Sequence, residues 1–591
     1  MRKTFVEKIL NAPAGSIVYR EPDFILSHDN SARIGRLFEK MKGENVRNPE
    51  KLLVVLDRKM VGPTNELIHD YNSVHDFMNE QKVEHFFDCD KGICHQVIAD
   101  YVKQGMLITG NDSHTCTAGA FNCLAVGMNK TETAVLWKTG KMWFRVPETI
   151  RIELTGNLSA GVYAKDLGLW VMGMLKNEGI EYCAIEYHGE GVTSLSISDR
   201  MTIANMSSEM GIKCSVFPPD DVLADYLGNY AVEGGMWADE NANYIKTFEI
   251  DLSRVIPLIL TTGDEQEVKA VDECEHLSFQ QGLIGACSCG RLEDLRVVAH
   301  ILKGHKIAAG FQLFVVPASR EIYLKAFEEG IINTLSLAGA TVTGASCGPC
   351  LGSSHMVSAD TKRFITTTHS NSMSRMAALG VEKYIASPAT VAMTALKGYL
   401  CMEVEYAEVA YPYWANPREH ALLDEFDSRQ SGNVWNYADL NNISCDQLFA
   451  EKRTYHISEE NAQAMLPYLL SGLDADFAAH VKPGDVILAG ESFGSGTLIK
   501  HAAIGLVEAG IVAVIVRSSS RNFFRMAINH GLLVIIAPAM VEGYRAGDEV
   551  RVDLEDRRVY MGDKVYELPL FDPQFIQIIR KRGIVNMAES E

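Results

Sequence analysis

MLITGNDSHTCTAGAF, residues 106–121, opens as a run of apolar side chains and then breaks into a polar, Gly-bounded turn that carries Asp112, Ser113 and His114. A short buried strand that ends this way is how α/β proteins place side chains and backbone N–H groups at the carboxyl edge of a sheet. Working outward, LLVVLD at 52–57, TIRIEL at 149–154 and VIPLIL at 255–260 read as further strands, separated by stretches with helical spacing. The alternation predicts an α/β fold of repeated strand–helix units. A second Gly-rich turn, GACSCG at 285–290, again follows an apolar run.

The chain has 591 residues, 47% hydrophobic and 22% charged, enough for several cores and more than one domain. Periodicity is lost at about 410–440, where YPYWANPREHALLDEFDSRQSGNVWNYADL accumulates polar and turn residues. This divides the chain into a region 1–410, a linker 411–440 and a C-terminal domain 441–591. The last contains a strand–turn–helix–strand unit, KPGDVILAGESFGSGTLIKHAAIGLVEAGIVAVIV. Against 55 Lys and Arg stand 76 Asp and Glu, a net charge of −21. Such a charge opposes phosphate backbones and anionic membrane surfaces, so no nucleic-acid or membrane partner is expected. No run reaches the roughly 18–20 apolar residues of a spanning helix, and residues 1–30 have no signal-type apolar core. The expected location is cytoplasmic. Thirteen dispersed cysteines, an odd number, fit reduced thiols better than a disulfide framework.

Three of those thiols lie in two Gly-rich loops: Cys287 in IGACSCGRLED, and Cys347 and Cys350 in GASCGPCLGSS. The C-G-P-C pair by itself fits buried or redox-active thiols. A four-thiolate zinc site needs a second pair, and Cys287 and Cys289 are separated by one residue where two or more are usual. Three thiolates on an iron–sulfur cubane leave one iron open to act as a Lewis acid. A single metal ion at the same thiols is the remaining option.

Read in order, GNDSHTCTAGAF, KMWFRVPETIRIELTGNLSAGVYAKDL, AIEYHGEGV, IGACSCGRLEDL, GASCGPCLG and KPGDVILAGESFGSG resemble the landmarks of the aconitase superfamily. They are most similar to its isopropylmalate isomerase and homoaconitase branch, with large and small subunits fused. The resemblance spans nearly the whole chain. It implies three α/β domains around a [4Fe–4S] cluster, a C-terminal swivelling β/α domain, and reversible dehydration or hydration of a small hydroxy acid. By motif, Cys287, Cys347 and Cys350 resemble the cluster ligands. His95 in GICHQ, with Asp112, Ser113 and His114, resembles the shell that handles the hydroxyl and its proton. Asn205 and Glu209 in IANMSSE, spaced i,i+4, resemble residues that reach the open iron; without the resemblance they read as an exposed polar pair. His28 in LSHDNSA falls on a substrate-side segment.

Proton and carboxylate handling departs from the family pattern. Asp57-Arg58 stands where the family has Asp-His, so a permanent cation replaces a titratable imidazole. His369 and Ser370 replace the Asn-Arg of a segment from which Arg375 remains. Thr497-Leu498-Ile499 replaces Ser-Ser-Arg, and Thr497 keeps a hydroxyl where the family's base lies. Lys452 falls where the family offers a cation to a carboxylate. Arg521 and Arg525 keep positions in another family segment and read equally as surface salt-bridge residues. Cys289 replaces the usual Asn and reads as a small neighbour of the site.

An Arg–carboxylate fork is bidentate and directional. Losing two of them argues against ordinary citrate or isopropylmalate and for a hydroxy acid with fewer or differently placed anionic groups, met by Arg58 and His369. The competing expectation is a non-catalytic cluster-binding sensor or structural protein. GESFG at 490–494 also fits G-x-S-x-G, but His530 is the last histidine and precedes Asp548 and every later Asp, so only Glu508 could serve as the acid, far too close in a small domain, and the hydrolase reading is rejected.

Overall fold

Branched residues build the expected strands in a computed structural model. It describes residues 2–590 apart from 58–64, 90, 177, 229–234, 263–266, 275, 348–349, 351–360, 369–380, 402–433, 451–456, 458–460, 497–499, 555 and 570. The first sheet is parallel and five-stranded, in the order His85–Phe87, Leu52–Val55, Phe24–Ser27, Leu107–Gly110, Leu124–Gly127. Leu52–Val55 is buried at every position, the pattern of a parallel strand covered on both faces. From Phe24–Ser27 the chain goes first to one side and later returns on the other at Leu107–Gly110. The switch point therefore opens between the carboxyl ends of these two strands.

A second parallel sheet runs Cys214–Val216, Ala184–His188, Thr149–Thr155, Lys246–Asp251. Along Thr149–Thr155 the period of two is plain: Ile150, Ile152 and Leu154 are buried, while Arg151 and Glu153 pair at 2.6 Å on the other face. The third sheet has seven strands and is mixed. In it Leu258–Thr262 runs antiparallel to both neighbours, Glu267–Ala270 and Glu382–Ala386. The strand expected at 255–260 starts late, at Leu258, because Pro257 has no N–H for the ladder. Gln281–Gly285 lies between Arg363–Thr366 and Gln312–Val316, parallel to both, and forms a second switch point.

The C-terminal domain carries a parallel sheet of Val434–Tyr437, Val486–Ala489, Ala513–Val516 and Leu533–Ile536, followed by an antiparallel meander of Val550–Asp553, Arg558–Met561 and Lys564–Glu567. Val434–Tyr437 falls inside the segment expected to be linker, so the domain reaches back into 411–440; residues 411–433 lie outside the described set. The domain shares one apolar cluster with the first domain. Trp143 meets Phe524 and Phe575 there, with ring centroids 6.3 and 5.8 Å apart. Among the described residues no disulfide joins any of the thirteen cysteines. Among the described residues no helix is long and apolar enough to cross a membrane.

Candidate active site

The two switch points face the same place. At the first, Asp112 caps the 3₁₀ segment Ser113–Phe121, its carboxylate accepting the His114 N–H at 2.8 Å. The sequence reads this stretch as an open turn; it is helical because that cap satisfies the first donors. The same Asp112 oxygen lies 2.9 Å from His95 Nε2 and 3.4 Å from His114 Nδ1. On the far side of the ring, His114 Nε2 stands 3.5 Å from Glu209 Oε1. Burial alone would push the His114 imidazolium down, but the two carboxylates outweigh it and hold the group up at about 9.

Asn205 and Glu209 are not an exposed pair. Asn205 lies in the last turn of the helix Ile197–Met206 and is fully buried; Glu209 follows in the next turn, with its side chain 9% exposed. The Asn205 amide donates to Thr117 Oγ1 at 2.8 Å and to Cys287 Sγ at 3.5 Å. One side chain thus joins the His114 segment to the thiol loop.

At the second switch point, Gly285 and Ala286 both take positive φ and turn the chain sharply after its strand. A Cβ on Gly285 would lie 2.0 Å from the Val316 carbonyl oxygen, so only glycine fits there. Cys287 emerges from this turn and shares a small apolar cluster with Cys347 and Cys350, each 6% exposed or less. Burial pushes the Cys287 thiol up, and proximity to Cys350 adds to it. Cys289 is fully buried but outside that cluster; its sulfur lies 3.8 Å from Ser288 Oγ.

Asp57 ties the thiol loop to the first domain. Its backbone oxygen accepts the Cys347 N–H at 2.7 Å and the Ser346 hydroxyl at 2.9 Å, while its carboxylate accepts the Cys94 N–H at 2.9 Å. Its own N–H donates to Asp29. His28 Nε2 stands 3.0 Å from the Asn111 carbonyl. Donor atoms of His28, Asp29 and Asp57 approach within 4.8 Å of one another, as do those of His95, Asp112 and His114, so either group could hold a cation.

Sequence reasoning left three buried cations without a role. Arg291 donates to the Cys287 carbonyl at 2.9 Å and also reaches the Ser288 carbonyl and the Thr202 hydroxyl, fastening the thiol loop from behind. Lys165 donates to Ser288 Oγ at 2.6 Å. Lys383 is 2% exposed and burial lowers it to about 8, with Cys350 and Glu209 acting in the opposite direction. The signal for Arg291 and Lys165 was their place inside the GRLED and YAKDL motifs. Arg521 and Arg525 are buried too, correcting the surface reading. Arg58, His369, Ser370, Arg375, Lys452, Thr497, Leu498 and Ile499 lie outside the described residues. Ser492 takes a positive φ, its hydroxyl donates to Glu181 of the second domain, and among the described residues no histidine is bonded to it.

An acid–base cluster at one α/β switch point is linked by a single amide to a thiol loop at another, the arrangement of a multidomain α/β enzyme site. The family model of the aconitase family (aconitate hydratase) matches residues 5–276 and 261–398, and that of the aconitase C-terminal domain matches 422–539. The large subunit 1 of 3-isopropylmalate dehydratase from Methanopyrus kandleri is 40% identical over 409 residues, which cover 67% of this chain and 98% of that protein. A probable methanogen homoaconitase large subunit from Methanosarcina mazei is 36% identical over 381 residues, covering 64% of this chain and 97% of that one. Among solved structures, the holo-form of aconitase X from Thermococcus kodakaraensis aligns over 59% of this chain and 83% of its own, with 14% identity and a TM-score of 0.37. The chain belongs to the aconitase family and is a hydro-lyase of that family. Proteins of this family generally bind a [4Fe–4S] cluster.

Proposed function

We propose that this chain removes water from, or adds it to, a small hydroxy acid that is neither citrate nor isopropylmalate, using a [4Fe–4S] cluster held by Cys287, Cys347 and Cys350. The observation that carries the reading is the Asn205 amide, which donates at once to the His114 segment and to Cys287 Sγ. A hydrogen bond to sulfur stabilises a thiolate rather than a thiol. Three buried thiols in one apolar cluster fit three corners of a cubane, and Cys289, turned toward Ser288, leaves the fourth to substrate. The chemistry such a cluster supplies when bound is an electrophile for the departing hydroxyl.

The rest belongs to the protein. His114, held as imidazolium between Asp112 and Glu209, is the proton donor to the departing oxygen and is left as neutral imidazole, while Asp112, 2.9 Å from His95 Nε2, keeps its ring oriented. Asn205, His28 and Asp57 line the substrate side, where a hydroxyl and its neighbouring carboxylate are oriented. Thr497 is the carbon-side base, and Lys452, Arg375, His369 and Arg58 are the cations and donors for the remaining anionic groups. The relatives named 3-isopropylmalate dehydratase and homoaconitase support a branched or extended hydroxy acid. Ser370 and Ile499, where the family carries arginines, argue that its charges are placed differently. We read residues 441–591 as the equivalent of a small subunit fused to the large one, a reading supported by the match to the C-terminal domain model.

The test is a hydroxy-acid and unsaturated-acid library offered to anaerobically purified, iron-reconstituted protein, read by mass for gain or loss of one water. Turnover of at least one member is expected. A full cluster with no turnover across the library would instead make the chain a non-catalytic cluster protein.

A further inference from the structure

Between the first domain and the C-terminal helix Arg521–Asn529 lies a cavity of about 120 Å³, lined among others by Ser113, Glu132, Lys213, Arg521 and Arg525. The three cations are 3%, 8% and 5% exposed. Arg525 is matched: its guanidinium lies 2.6 Å from Glu132 Oε1 and 4.4 Å from the Trp143 ring centroid. Lys213 and Arg521 have no carboxylate at ion-pair distance among the described residues. Arg521 donates to the Ile212 carbonyl at 2.8 Å and Lys213 to the Gly127 carbonyl at 3.2 Å.

Burying cations without a counter-charge is costly, and folds rarely keep them unless an anion joins them. Here burial pushes the Lys213 ammonium well below the usual lysine range, and Arg525 and Arg521 push it further, against the weaker pull of Glu132. Three buried basic groups thus line one small cavity in a protein whose net charge is −21. The cavity backs onto Ser113, the residue between Asp112 and His114. Its volume is that of about four waters in the liquid, enough for one carboxylate or phosphate.

We propose that Lys213 and Arg521, with Arg525 braced by Glu132 beside them, form a pocket for an anionic arm of the substrate, a carboxylate or a phosphate, when the substrate's hydroxyl lies at His114. This rests on the hydro-lyase reading and deepens it. The pocket draws its basic groups from the edge of the second sheet and from the C-terminal domain, in a sequence that has Ser370 and Ile499 in place of the family's arginines.

Calorimetric titration of malonate, and separately of inorganic phosphate, into the full chain tests the pocket without turnover. The wild-type protein should bind at least one of them saturably, with the tighter identifying the arm. Lys213→Met and Arg521→Gln should each weaken that binding at least tenfold. Lys213→Met keeps the aliphatic stem and removes a poorly matched charge, so its melting temperature should equal or exceed the wild type's. If either variant fails to fold, the same anion must still raise the wild-type melting temperature with concentration. No binding of either anion, no such stabilisation, or equal affinity in folded Lys213→Met overturns the pocket. Anion binding that Lys213→Met abolishes, in a protein that turns nothing over, upholds the pocket and sinks the hydro-lyase reading alone. Turnover whose KM is unchanged in Lys213→Met sinks the pocket alone.

Discussion

Glu132 is fully buried, and its carboxylate serves three partners at once. Oε1 accepts from Asn529 at 2.8 Å and pairs with Arg525 at 2.6 Å, and Oε2 accepts the Asn129 N–H at 2.9 Å to close the capping box of the helix Lys130–Thr139. Two of those partners lie on the C-terminal helix Arg521–Asn529. Glu132→Gln keeps the shape and removes the charge, which leaves the Arg525 guanidinium buried beside Lys213 and Arg521 with no anion. Breaking one side of a buried ion pair costs about 3–5 kcal/mol. At about 1.4 kcal/mol per factor of ten, docking of that helix should be weakened by roughly two to three and a half powers of ten. Hydrogen–deuterium exchange read by mass spectrometry should show this as faster exchange confined to peptides covering 521–529 and 130–145. Arg525→Met in the Glu132→Gln background removes the stranded charge and should restore most of the protection, because an apolar replacement for a buried pair is close to neutral. Unchanged exchange in Glu132→Gln would refute the reasoning. So would a double variant as poorly protected as the sum of the single ones.

The Asp112–His114–Glu209 arrangement predicts a pH effect with a definite sign. His114 is raised from 6.5 to about 9, so its contribution is complete below about pH 6.5 and is lost as pH rises through about 9. The shift corresponds to up to about 3 kcal/mol. The melting temperatures of wild type and His114→Gln should therefore converge between pH 6.5 and 10; convergence already complete at pH 7.5 would show that the imidazolium is not held. Arg291→Met takes its donor from the buried Cys287 carbonyl, whereas the Thr202 hydroxyl still donates to the Ser288 carbonyl at 2.9 Å, so the cost is about 1–3 kcal/mol. It should lower the iron and sulfide retained per chain after reconstitution, and wild-type retention would show that the loop supports itself. Cys347→Ser and Cys350→Ser should each abolish the visible absorption of the reconstituted protein, whereas Cys289→Ser should preserve it. Loss in the last would place Cys289 among the ligands.

Chemistry that is local in the chain was legible before any fold was known. The NDSHT turn after its strand, the two thiol loops and the alternation of strand and helix depend on neighbouring residues, whose spacing records the period and the breaks. Pro257 shows the limit of that reading, since an apolar run looks like a strand until the ladder demands an N–H that proline lacks. The linker assignment missed Val434–Tyr437 for a related reason: a short edge strand is defined by its partner Val486–Ala489, some fifty residues on, more than by its own composition.

What Asn205, Lys213 and the pair Arg521 and Arg525 touch could not be read from sequence, because it is fixed by burial and by partners some 80 to 400 residues away. A lone arginine or lysine in a helix reads as solvated, since most are. Only the packing of four sheets about two switch points removes the water, and that desolvation turns an ordinary cation into a clamp on a thiol loop or into one wall of an anion pocket. The sequence by itself determined which elements form and which side chains leave their ends; the tertiary structure decided which charges are buried together, because desolvation depends on everything packed around a group and not on its neighbours in the chain.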